Sequence, residues 1–239
     1  MLKYSDFQEA SVVQSTIFTP GFSFITHKIL IDLLQLRPGM FDGEPVVLPL
    51  PHDAPPELPR IILQDKNGTN KIEVSPTRVN FFRIKTVEDD RVDIQRFIID
   101  SAVLLKEYLS ISGARCGRLA SVLKRFCIKD DPSKEIVSHF CKEVFLNKPF
   151  DGPASFELHA RKRYQFIEAF EVNSWVRIKS GQVQYPSETP KPIVLIEQDI
   201  NTLAEILETK NYTEEEILSF FGNVFDEFND ILRIYCLEN

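Results

Sequence analysis

The residues in this chain best suited to chemistry are a basic run, Arg161-Lys162-Arg163, and two carboxylates, Glu197 and Asp199. In a β-strand, residues two apart point to the same face, so Arg161 and Arg163 share one with His159 and Gln165. Arg177 and Lys179 follow at the distance of a hairpin, and Tyr164, Trp175 and Tyr185 are close in sequence. Cations beside aromatic rings on a sheet face are how sheet-type readers hold single-stranded nucleic acid. The plainer account is a solvated face whose cations pair with the chain's many carboxylates. Glu197 and Asp199 also alternate onto one strand face. Joined by Glu168 or Glu171 they would make an oxygen-rich metal site; solvation at a strand end is the simpler role.

Other chemistry is thinly represented. The histidines are His27, His52, His139 and His159, with no HExxH and no His/Cys pairing at metal spacing. His139 and Cys141 are two apart on an expected helix and diverge. A Cys141–His159 nucleophilic pair would have to be assembled in space, and single thiols are more often inert core residues. There is no GxSxG, no GxGxxG and no Walker lysine. Acidic clusters at Glu88-Asp89-Asp90, Asp130-Asp131 and Glu214-Glu215-Glu216 sit at expected helix starts, where the helix dipole favours negative charge. No cofactor is expected.

The chain has 239 residues, 43% of them hydrophobic and 26% charged, enough for one sizeable core or two small ones. Lys plus Arg number 28 and Asp plus Glu 35, a net charge of −7, so any nucleic-acid surface must be a local basic patch. No apolar run is long enough to span a bilayer. Residues 1–9 carry Lys3, Asp6 and Glu9 without an apolar stretch, unlike a secretory signal. Cys116, Cys127, Cys141 and Cys236 form no CxxC, which fits reduced thiols in a cytoplasm.

Strands are expected at residues 8–18, 46–50, 60–64, 71–75, 77–85, 118–128, 156–170, 175–179, 182–185 and 193–198, from β-branched and aromatic runs between turn residues. Asp65-Lys66-Asn67-Gly68 predicts a hairpin turn, as do Asn173-Ser174 and Ser180-Gly181. Helices are expected at residues 22–36, at 91–109 capped by Asp90, and at 133–145 capped by Ser133 and carrying Val144 and Phe145. The clearest is the last, residues 213–237. Ile217, Phe220, Phe221, Val224, Phe225, Phe228, Ile231, Leu232 and Tyr235 fall on one stripe, and Thr213 with Glu216 makes a capping box.

Both halves, residues 1–112 and 113–239, thus read strand, helix, antiparallel strands, long helix. Ala10-Ser11-Val12-Val13 and Ala120-Ser121-Val122-Leu123 hold the same place in each. The expected fold is α+β: two similar halves, an internal duplication, forming one curved antiparallel sheet with the long helices on one face. The order of elements resembles the TATA-box binding protein saddle in topology, although a strongly basic concave surface is not evident.

The chain also resembles a sporadically distributed family of uncharacterised bacterial proteins. The likeness rests on Gln8-Glu9-Ala10 followed by Phe18 and Pro20, and on Ile62-Leu63-Gln64 leading to Glu73-Val74-Ser75-Pro76-Thr77-Arg78-Val79-Asn80-Phe81. It ends with Glu197-Gln198-Asp199-Ile200 before a Phe-rich helix. Two departures are Asp199-Ile200-Asn201 in place of Asp-Ile-Asp and a final helix without histidine. The resemblance implies no known activity, and the family's patchy distribution suggests an accessory toxin–antitoxin or phage-defence gene cassette. The leading expectation is a non-enzymatic protein-interaction module, binding a protein partner or a second copy of itself. A nucleic-acid binder using Arg161, Lys162, Arg163, Arg177 and Lys179 is the first alternative. A metal-dependent enzyme using Glu197 and Asp199 is the second.

Overall fold

In the computed structural model, residues 1–51, 53–86, 92–142, 152–185 and 189–238 are described. Among them the strands are β1 (Ala10–Phe18), β2 (Val46–Val47), β3 (Ile61–Gln64), β4 (Asn70–Val74), β5 (Arg78–Ile84), β6 (Arg118–Ile128), β7 (Glu157–Phe166), β8 (Phe170–Val183) and β9 (Lys191–Thr202). The helices are α1 (Thr26–Leu36), α2 (Ile94–Ser112), α3 (Pro132–Phe140) and α4 (Glu214–Tyr235). The strands form one curved sheet in the order β2-β3-β4-β5-β1-β6-β9-β8-β7, every neighbouring pair antiparallel. The fold is α+β. β1 and β6 pair near the middle of the sheet, and the other strands run outward from there.

Helices cover one face of this sheet. Ser101 of α2 donates to Ser15 of β1 at 2.6 Å, and Gln198 of β9 donates to the Phe228 carbonyl of α4 at 2.7 Å. His139 of α3 bonds the Tyr235 carbonyl at 2.8 Å, and α1 is tied to α2 by Arg37–Glu107 at 2.7 Å. Beneath the helices, alternate strand residues such as Val13, Ile17, Leu119, Leu123, Val176, Ile196 and Ile200 are buried against Phe97, Leu105, Phe220, Phe221 and Phe228. Burying these aliphatic and aromatic side chains together is the main apolar gain of the fold. Phe166, Phe170 and Phe220 meet ring to ring with centroids 5.6–6.4 Å apart.

Helix ends follow local chemistry. Both hydrogen bonds of the Thr213/Glu216 capping box form at α4, which starts and ends close to expectation. At α2 the cap is Asp93, accepting from Arg96 N at 2.9 Å, and not Asp90. Gly113, at φ 70°, closes the helix in the left-handed region with its N–H on the Leu109 carbonyl. The α3 cap is Asp131 in place of Ser133, because Pro132 suits the first helical position, where no N–H is needed. The expected Asp90 cap, the Glu88-Asp89-Asp90 cluster, His52, and Val144 with Phe145 lie outside the described residues. The helix expected from residue 22 starts at Thr26, and the strand expected at 46–50 is the exposed two-residue β2.

The largest correction concerns residues 156–185. Asn173-Ser174 and Ser180-Gly181 are not turns; both lie inside the fourteen-residue β8. The chain reverses at Ile167-Glu168-Ala169, where Ile167 and Glu168 take φ of 37° and 33° without a glycine. Register explains this. Only this turn sets Phe166 opposite Phe170 and puts Val172, Ser174, Val176 and Ile178 under the helices.

Candidate functional site

No helix packs on the opposite face of the sheet among the described residues, and alternation dictates what it presents. Arg161, Arg163 and His159 of β7 point to it, with Glu171, Trp175, Arg177 and Lys179 of β8 and Glu197 and Asp199 of β9. Lys162 does not. Paired with Ser174, it points to the helix side, its ammonium 5.3 Å from the Tyr164 ring centre. So four of the five basic residues singled out share one surface, and the fifth lies behind it.

Strand order adds residues that sequence proximity does not reveal. Arg118, Val122, Lys124 and Phe126 of β6, Gln14, Thr16 and Phe18 of β1, Arg78, Asn80 and Phe82 of β5, and Lys71 and Glu73 of β4 all face the same way. The registers line up one continuous row across the sheet: Arg161–Trp175–Asp199–Val122–Gln14–Phe82–Lys71–Gln64. At the usual spacing of adjacent strands it is roughly 34 Å long. The next row runs Arg163–Asn173–Asn201–Ala120–Thr16–Asn80–Glu73, with three buried amides and one buried hydroxyl.

Aromatic rings on this face carry cations. Arg161 and Arg177 lie 5.2 and 5.7 Å from the Trp175 ring centre, Arg118 4.7 Å from Phe18, and Lys71 4.7 Å from Phe82. These contacts hold long side chains flat against half-buried rings. Lys71, Arg78, Arg118, Lys124, Arg161, Arg163, Arg177 and Lys179 outnumber Glu73, Glu157, Glu171, Glu197 and Asp199. The face is therefore basic in a chain of net charge −7.

Some cations are already paired. Glu197 takes Lys124 at 2.9 Å on one oxygen and Arg177 on the other. Arg163 binds Glu171 at 2.7 Å and Glu205 at 3.4 Å. Arg161 instead donates to Asn173 at 3.1 Å, which accounts for a buried asparagine in mid-strand. Partial burial raises the Glu197 carboxyl, but the hydrogen bonds and charges of Lys124 and Arg177 outweigh it and hold the group below the usual carboxylate range. Asp199 goes the other way. Burial raises it, and the Asn201 amide at 2.8 Å with the charges of Arg118 and Arg177 only partly offsets that.

Glu197 and Asp199 do share a face, as alternation requires, but both Glu197 oxygens are committed to cations. Glu171 lies six residues along β8 from Arg177, the neighbour of Glu197, or roughly 20 Å. No group of three or more His, Cys, Asp or Glu side chains that could hold a metal occurs among the described residues. His159 stands on the open face, bonded to Glu157 at 2.7 Å, while Cys141 follows α3 on the helix side, so the sheet separates them. Burial pushes the Cys116 and Cys236 thiols up to about 12 and Cys127 to about 11, so none of these three is a thiolate near neutral pH.

A cavity of about 670 Å³ opens where the β3–β4 turn (Lys66, Asn67) and the end of β5 (Ile84, Lys85) approach the end of β8 (Val183, Tyr185). Four strands separate β8 from β4 in the sheet, so this approach reflects its curvature. No helix among the described residues is long and apolar enough to cross a membrane. No protein-family model matches this chain, and no curated protein matches its sequence.

Proposed function

We propose that the protein binds a nucleic-acid strand along the uncovered face of its sheet. The observation that carries this reading is the row from Arg161 to Gln64, in which aromatic rings and cations recur on a net basic surface. Phosphates would lie on Arg161, Lys179 and Arg118, and bases on Trp175, Phe82 and Phe18. The test is fluorescence anisotropy of labelled oligothymidylate, single-stranded RNA and a DNA duplex over a salt series. The reading expects single strands to bind more tightly than duplex, with affinity falling steeply with salt, and Trp175→Ala to weaken binding about 5- to 100-fold. Salt-independent binding, or a Trp175→Ala variant that binds like the wild type, would sink it.

The saddle-like internal duplication belongs to the same proposal. Val13 pairs with Leu123 across the β1/β6 seam. A two-fold axis at that pair carries Ala10-Ser11-Val12-Val13 onto Ala120-Ser121-Val122-Leu123, apart from the irregularity between Ala10 and Val12.

The protein-interaction reading keeps one specific support. Ile234 of α4 is 76% exposed beside a small groove lined by Ala160, Val176 and Ile231. A partner chain or second copy seated there would cover it. Light scattering over a concentration series tests this, with Ile234→Asp expected to abolish any association.

A further inference from the structure

On the helix side of the sheet, Arg125 of β6 occupies a position where its neighbours in the alternation are Leu119, Ser121, Leu123 and Cys127. Its residue is 2% exposed. One guanidinium nitrogen, Nη2, donates to Asn229 of α4 at 2.8 Å. The other two, Nε and Nη1, are buried without a hydrogen-bond partner. No carboxylate pairs with this guanidinium among the described residues. Burial lowers its pKa to about 10, which still leaves it charged at neutral pH. A buried cation without a counter-charge is among the most destabilising features a fold can carry, and such groups are normally paired or bound to an ion.

The guanidinium borders a cavity of about 440 Å³ in the seam between α2 and α4, within the range of small-molecule sites. Tyr4, Gln8, Gln95 and Asn229 supply polar lining, and Phe225 with Val92 an apolar wall. The N-terminus of the nineteen-residue α2 opens on it, adding the positive end of a helix dipole. Charged groups facing the cavity are few. Asp93 is exposed and its carboxylate caps Arg96 N. Arg233 of α4 lies over the Tyr4 ring, 5.0 Å from its centre.

We infer that this seam is a binding site for a small organic oxyanion, whose carboxylate or phosphate group sits beside the Arg125 guanidinium near the first turn of α2. Its apolar body lies against Phe225 and Val92. The site is on the opposite side of the sheet from the proposed nucleic-acid surface and does not depend on it.

The experiment is thermal unfolding of the full chain in sodium phosphate and in sodium succinate, each against sodium chloride of equal ionic strength. A saturable rise in Tm with one anion is expected in the wild type and identifies phosphate or carboxylate as the preferred group. The rise should vanish in Arg125→Met, which without added anion should be at least as stable as the wild type. No rise over chloride with either anion, or an equal rise in Arg125→Met, overturns the proposal. If Arg125→Met fails to fold, the ¹⁵N shift of Arg125 Nε in the wild-type protein, titrated with the same two anions, decides. A saturable change supports the site and an unchanged shift overturns it.

Discussion

Glu197→Gln should tighten nucleic-acid binding even though it removes two well-formed ion pairs. The carboxylate holds Lys124 at 2.9 Å and Arg177 beside it, both on the open face. Freed, each cation can neutralise one more phosphate. For single strands each neutralised phosphate adds about 0.7 to the magnitude of the slope of log affinity against log salt, so two add about 1.4. Between 50 and 200 mM salt, that extra slope alone means roughly a sevenfold steeper loss of affinity. The variant should therefore gain most at low salt. Its stability cost is modest. Glu197 is half-buried but both partners are more than a third exposed, so solvent-screened pairs contribute about 1 kcal/mol in total, or a Tm drop of roughly 2–4 °C. Glu197 is held below its unfolded pKa of 4.5, so its contribution is present above that pH and is lost as pH falls through the folded value. The Tm gap between wild type and variant should close on acidification. The assays are anisotropy of labelled oligothymidylate over a salt series and thermal unfolding over a pH series. Equal salt slopes in the two proteins would refute the reasoning.

Three further predictions concern the same scaffold. Asp199 has a carboxyl raised above its unfolded value of 3.8, so wild-type stability should fall as pH rises from there through the folded pKa. Asp199→Asn should lack that fall in urea midpoints, exceed the wild type at neutral pH and bind oligonucleotides more tightly; an unchanged pH profile would count against the stated cause. At Gly117 a Cβ would come 2.1 Å from the Leu207 carbonyl oxygen and 3.0 Å from Pro20 Cγ, so Gly117→Ala forces the backbone apart. A loss of about 1–3 kcal/mol by urea denaturation is expected, and a loss within error would show that the loop yields freely. Glu168 sits at φ 33° in the β7–β8 turn, so Glu168→Gly should raise Tm by a few degrees, about 0.5–1 kcal/mol, whereas a drop would mean that the turn needs its side chain.

Local chemistry made parts of this fold legible in the sequence. The α4 stripe with its capping box and the full length of β6 match what pattern alone predicts, because each rests on neighbours within one element. The β7–β8 hairpin was hidden for the opposite reason. Its turn, Ile167-Glu168-Ala169, has no turn-forming residue, while Asn173 and Gly181 signal turns in mid-strand. There, packing under α4 and the bond from Arg161 to Asn173 override local preference. The open face was half visible. Arg161, Arg163, Arg177 and Lys179 are close in sequence, and strict alternation excludes Lys162. Arg118, Lys124, Phe82 and Lys71 join them only through strand pairings that span the chain, which no local pattern encodes. Arg125 left a weak trace, a charge at an otherwise small or apolar position of β6, but its unpartnered nitrogens show only in three dimensions.

The most direct test of the central claim uses two adjacent residues on opposite faces of β7. Arg161→Glu and Lys162→Glu make the same change of charge one position apart, one on the open face and one behind it. Oligothymidylate affinity should be measured from 50 to 200 mM salt for both variants and the wild type. The account predicts that Arg161→Glu weakens binding and flattens the salt slope by about 0.7, while Lys162→Glu stays close to the wild type. Equal losses in the two variants, or no binding by the wild type, would contradict it.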